Sequence, residues 1–209
     1  MSGSSLSPGR GQALPTRISV KFFVDQPELV NQKALIPVFH DWIRHDVLGT
    51  LLVDVADYTH VHHGPGVILV SYDGLYSMDE SDGRLGFRFE QKRPMDGTLA
   101  DQIRHVLGKT LAACHELERE QSLEGAIRFR TDEVLLQITD RLNAPNDDET
   151  FHQLQHDVAS AFGVIYGDAP IRMERDTNRS VFTIRITTPE APPLETLFDQ
   201  LRDVTALPP

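Results

Sequence analysis

Two rhythms of apolar residues run along this chain, and they predict where it turns from strand to helix. In residues 17–24, RISVKFFV, Ile18, Val20 and Phe22 alternate before the run turns continuously apolar, which is a strand pattern. Asp25 then offers a cap and Pro27 fits a first turn. Leu35, Val38, Phe39, Trp42 and Ile43 recur at helical spacing, so a helix is expected over residues 27–45. Pro37 removes a backbone donor inside that span and predicts a kink or a restart. Residues 50–56 and 66–72 carry short Val- and Leu-rich runs bounded by Asp and Gly. The polar stretch between them is too short for a crossover helix, so they are expected to pair antiparallel. Asp73-Gly74 and Asp82-Gly83 are tight-turn signals leading into strands at 75–78 and 84–92.

Leu99, Ile103, Val106, Leu107, Leu111, Cys114 and Leu117 then mark one face of a long helix that ends near residue 121. Residues 126–130 read as a strand that Thr131-Asp132 turns back into 134–139. A third helix over 149–166 carries Phe151, Leu154, Val158, Phe162 and Ile165 inward. Strands at 170–175 and 180–187 flank an Asp-Thr-Asn turn, and a short helix over 194–204 closes the chain. The expected order is β-α-β-β-β-β-α for residues 17–121 and β-β-α-β-β-α for residues 122–209. Hairpins dominate and no run of β-α-β units occurs. The expected class is therefore α+β, with mainly antiparallel sheet, helices packed on one face, and two sandwich-like halves. The two halves stand as separate sheets or join as one continuous domain. Residues 1–16, rich in Ser, Gly and Pro, read as a flexible tail.

Charge narrows the partners. The 209 residues hold 31 Asp and Glu against 20 Lys and Arg, a net charge of −11. Nucleic-acid affinity comes largely from cations that release phosphate counterions, and anionic lipid surfaces also attract cations, so neither polymer nor membrane is an expected partner. Cys114 is the one cysteine, so no intrachain disulfide forms, as suits a reducing compartment. No apolar run approaches the length of a membrane span, and the first residues lack the apolar core of a secretory signal. By elimination the expected location is cytoplasmic.

The chemistry concentrates in residues 54–66, between two strands. Asp54, Asp57, Tyr58, His60, His62 and His63 crowd there ahead of Gly64-Pro65-Gly66. One reading is an acid–base site with His60 as general base, Asp57 orienting it and Tyr58 beside it. A second is a divalent transition metal held by His40, Asp54, His60 and His63. The spacing H-x-H-H is neither an H-E-x-x-H helix nor a paired CxxC. Gly64 and Gly66, with Trp42 on the neighbouring helix, are candidate ligand contacts, although a phosphate cradle normally opens a helix and here a strand follows. The plain alternative is a solvated hairpin loop. His152 and His156 stand at i, i+4 without the zincin glutamate, Cys114 continues an apolar stripe, and the DESDG turn lacks the calcium-loop pattern.

Several stretches together resemble an uncharacterised bacterial protein family. They are PxFHxWI from Pro37, DVADYxHV from Asp54, GPGV from Gly64, DGRLG from Asp82 and DRLxAPN from Asp140. The resemblance implies no activity, cofactor or catalytic residue, and it supports reading the two halves as one unit. The leading expectation is a non-enzymatic binding or accessory module for a protein partner or small ligand, with a homodimer through a sheet edge as one arrangement. The rival is a metal-dependent or acid–base enzyme in the 54–66 loop. A pocket where His40, Asp57 and His60 converge would favour the enzyme, and a loop projecting into solvent would favour the binder.

Overall fold

The structure is a computed structural model that describes residues 14–205. Its strands form one antiparallel sheet in the order β2-β3-β4-β5-β1-β6-β8-β7. In chain order these are β1 (Ile18–Val24), β2 (Leu52–Tyr58), β3 (Gly66–Ser71), β4 (Gly74–Asp79), β5 (Gly86–Gln91), β6 (Phe129–Ile138), β7 (Arg172–Arg175) and β8 (Phe182–Thr187). Four helices, α1 (Leu35–His45), α2 (Leu99–Arg119), α3 (Asp148–Tyr166) and α4 (Leu194–Thr205), cover one face of the sheet. The class is α+β, as the hairpin-rich order predicts.

The two halves share one plan. β1 leads through α1 into a meander whose last strand, β5, returns beside it before α2. In the second half β6 leads through α3 into the β7–β8 hairpin, and β8 returns beside β6 before α4. The first strands of the two halves pair antiparallel, Val20 opposite Leu136, and fuse the meanders into a single sheet. One apolar cluster runs beneath all of it, from Trp42 and Phe39 through Phe22, Phe87 and Leu107 to Phe162 and Ile186. The α2 stripe is buried as its spacing predicts, after a capping box in which Thr98 and Asp101 bond each other's backbone.

Three expectations change. Residues 27–34 are two 3₁₀ turns, and α1 starts only at Leu35. Pro37 is then its third residue, where the missing N–H would have had no helical partner. The expected hairpin around Thr131-Asp132 is one ten-residue strand, β6. The turn signal emerges as a register shift against β1 between Phe22 and Val24. The bulged backbone is satisfied from outside: the Tyr166 hydroxyl donates to the Thr131 carbonyl at 2.7 Å, and Thr131 Oγ1 donates to the Pro192 carbonyl at 2.6 Å. Of the expected tail, residues 1–13 lie outside the described residues. Thr16 is tied down, its N–H and hydroxyl both donating to Asp140 Oδ2 at 3.1 Å.

Candidate functional site

The 54–66 segment belongs to the end of the sheet farthest from β7. Among the described residues β2 is an outermost strand, paired only with β3, with Val55 opposite Leu69 and Tyr58 opposite Gly66. Beyond Tyr58 the chain makes two successive turns, Val61 N–H to the Tyr58 carbonyl and Gly64 N–H to the Val61 carbonyl, and His63 takes a left-handed φ of 50°. The turn is anchored at its far end. The Gly64 carbonyl accepts the Glu80 N–H at 3.0 Å. Gly66, at φ +62°, lies so close to Gln32 and Met78 that an added Cβ would stand 2.3 Å from the Met78 carbonyl oxygen. Gly64 and Gly66 are thus buried and committed to turn geometry and packing. Trp42 is a core side chain, 3% exposed, with its ring 5.4 Å from that of Phe39.

His60, His62 and His63 are exposed, as is His40 on α1. Tyr58 and His60 stack at 6.2 Å, and His62 and His63 lie 3.9 Å apart, ring centre to ring centre. The Asp57 carboxylate serves its own turn: Oδ1 accepts the Thr59 N–H at 2.9 Å and the Thr59 hydroxyl at 2.6 Å. Those bonds hold its pKa below the ordinary aspartate value, with the charges of Lys33 and His60 as lesser causes. Asp54 Oδ1 accepts the N–H of the next residue, Val55, at 2.8 Å. Among the described residues no group of three or more His, Cys, Asp or Glu side chains comes together to hold a metal ion. The proposed set His40, Asp54, His60 and His63 is therefore not assembled, and Asp57 is spent on Thr59 rather than on orienting His60.

The edge itself is the notable surface. Leu51 is 66% exposed, Val53 58%, Tyr58 43% and Val61 43%, four large apolar side chains within eleven residues. The opposite edge, β7, has four residues, of which Arg172 and Glu174 are paired with each other and Arg175 with Asp148. Short, charged edges resist further strand pairing, whereas a longer edge with exposed apolar residues invites it.

A second constellation was not visible as a site in the sequence. Lys21, at mid-β1 on the face of the sheet without helices, is 1% exposed. Its ammonium donates to Asp79 Oδ2 at 3.0 Å, to Asp82 Oδ1, and to the Arg84 carbonyl at 2.6 Å. Arg84 lies 3.7 Å above the Phe23 ring and reaches Glu133 on β6 through two bonds, of 2.6 and 3.0 Å. Arg185 on β8 bonds the same carboxylate. Arg179, from the β7–β8 turn, donates to the Asp82 carbonyl at 3.1 Å. These pairs strap the β4–β5 turn over the middle of the sheet and join the two halves. The signal in the sequence was a lone charged residue, Lys21, inside a mostly apolar strand.

An open cleft of about 640 Å³ sits where β1 ends, β6 begins and α4 starts, with Asp25, Glu118, Arg128, Arg130, Asp132 and Glu195 on its walls, and another of about 550 Å³ borders Val53 on β2. Cys114 is fully buried, which pushes its thiol pKa up and makes it a core residue. No helix among the described residues is long and apolar enough to cross a membrane. Compared with models of known families and with curated proteins, the chain matches none.

Proposed function

We propose that this chain is a cytoplasmic, non-catalytic binding module that holds a protein partner along the free edge of its sheet at β2. The observation that carries the reading is the contrast between the two edges. β2 offers seven residues of strand with Val53 and Tyr58 exposed, and β7 offers four residues closed by ion pairs. Strand addition to an open edge draws affinity from main-chain hydrogen bonds and specificity from the alternating side chains. The turn after β2 is pinned through Gly64 and Gly66, so the edge is held in shape before any partner arrives.

The test is a display library of random extended peptides panned against the wild-type protein and against Val53→Lys, which places a charge on the edge without disturbing a buried side chain. Enrichment of strand-forming peptides on the wild type, lost on the variant, is the expected result. Equal enrichment on both proteins, or none on either, contradicts the reading.

A further inference from the structure

The reading of β2 as a docking edge leaves open what kind of segment it takes, and charge decides between the candidates. Between Arg44 and Arg84 the chain has seven carboxylates and neither a lysine nor an arginine. That stretch comprises β2, β3, β4 and their turns. Two of the seven, Asp79 and Asp82, share Lys21, Asp79 also faces Arg88 at 3.6 Å, and Asp73 faces Lys109 at 3.3 Å. Among the described residues Asp54 and Asp57 form no ion pair with a lysine or arginine, and the charge of Lys33 reaches Asp57 only as a minor influence. Both are exposed on the edge strand, and their carboxylates are bonded only to backbone and hydroxyl groups within two residues.

We propose that the β2 edge accepts an extended segment of a partner protein in which apolar residues alternate with lysine or arginine. Val55 lies on the face of the strand whose cross-strand partner Leu69 is buried, and Asp54, Ala56 and Tyr58 lie on the other, so the apolar side chains would extend the Val55 face and the cations would meet Asp54 on the opposite face. In the free chain Asp54 Oδ1 accepts the Val55 N–H, the job that a carbonyl of an added strand performs. Strand addition replaces this acceptor and frees the carboxylate for a cation on the incoming segment. Lys92 and Arg93 border Val53, so the cation preference is confined to the Asp54–Tyr58 part of the strand.

A second copy of the chain is the weaker occupant. It would bring the same uncompensated carboxylates to the same edge, and like charges across a strand pair are destabilising. The inference rests on the binding reading of β2 and adds to it the chemistry of the partner.

The experiment uses two blocked decapeptides labelled for anisotropy, one alternating Val with Lys and one alternating Val with Glu, titrated into the full chain. The Lys peptide is expected to bind at least about tenfold tighter at low salt, with the difference shrinking toward none at about 0.5 M salt. Asp54→Lys with Asp57→Lys should reverse the order of the two peptides. Asp54→Asn, which changes no buried group, should narrow the gap if the double variant fails to fold. Equal binding of both peptides overturns the cation preference and leaves the edge reading standing. Binding of neither peptide, with sedimentation showing dimers that Val53→Lys dissolves, overturns the inference in favour of a second copy. Binding of neither peptide to a monomer overturns the inference and the edge reading together.

Discussion

The centre of the sheet and its β2 edge use aspartate in opposite ways. At the centre Asp79 is 1% exposed, and its carboxylate faces a buried lysine that also holds Asp82 and a backbone carbonyl. At the edge Asp54 and Asp57 are exposed and hold nothing but neighbouring N–H and hydroxyl groups. The residue type is the same and the strands are two places apart. The lesson is that a charge inside a folded sheet is structural when it has a cation and no water, and available when it has water and no cation. The first kind fastens the β4–β5 turn to β1, and the second kind is where the proposed partner segment would be met.

The comparison is sharpened most by cutting the central network. Lys21→Met removes the buried lysine shared by Asp79 and Asp82, leaving Asp79 only Arg88 at 3.6 Å, and should cost about 3 kcal/mol, read as a lowered urea midpoint with an unchanged slope. Asp54→Ala, by contrast, should move stability by less than about 0.5 kcal/mol. A Lys21→Met protein as stable as the wild type would break the distinction between the two regions.

The 54–66 turn gives the next largest effect. Gly66→Ala combines a left-handed φ with a Cβ driven to 2.3 Å from the Met78 carbonyl oxygen, and should cost about 2 kcal/mol in the same assay. His60→Ala, His62→Ala and His63→Ala, all on exposed side chains of the same turn, should each leave the midpoint within about 0.5 kcal/mol. A histidine variant as damaging as Gly66→Ala would show that an imidazole has a structural or ligand role that the geometry does not supply.

Acid titration separates the regions more gently. Burial raises the pKa of the Glu133 carboxyl, but the hydrogen bond and charge of Arg84, joined by those of Arg185, outweigh it and hold the group below the ordinary glutamate value. A group depressed in the folded state contributes stability above its unfolded pKa, about 4.5, and loses it as pH falls through the folded value. Stability should therefore fall with acid below about pH 4.5, and Glu133→Gln should flatten that slope. A pH profile unchanged by Glu133→Gln would place the acid sensitivity elsewhere. The smallest expected effect is that of Val53→Lys on folding, within about 0.5 kcal/mol, because the side chain is solvent-facing on an edge.

Much of this architecture was legible in the sequence because local rhythm encodes burial. The Leu99 to Leu117 stripe marks α2, the alternation in Phe87 and Phe89 marks β5, and the Asp-Gly turns end the strands that pair as a meander. What was not legible depends on distant partners. Thr131-Asp132 reads as a hairpin turn in any local window, and only Tyr166, Pro192 and the pairing with β1 make it a bulge. The pairing of β1 with β6 joins segments more than a hundred residues apart, so no periodicity could announce that the halves share one sheet. At the candidate site the residue list drew attention to the 54–66 loop through its histidines and carboxylates. Crowded histidines suggest metal or base catalysis, yet they point to solvent, and Trp42 and Gly66 serve the core and the turn. The exposed Leu51, Val53 and Tyr58 read as ordinary strand residues until the sheet order places β2 at an edge.

The most direct test of the account is amide hydrogen exchange by nuclear magnetic resonance, with and without the Val/Lys decapeptide. The account predicts slower exchange along β2, with the Val55 amide protected as an added strand replaces Asp54 as its acceptor, and no change along β7. Peptide-dependent protection at β7, or in the cleft between β1, β6 and α4 with β2 untouched, would contradict it.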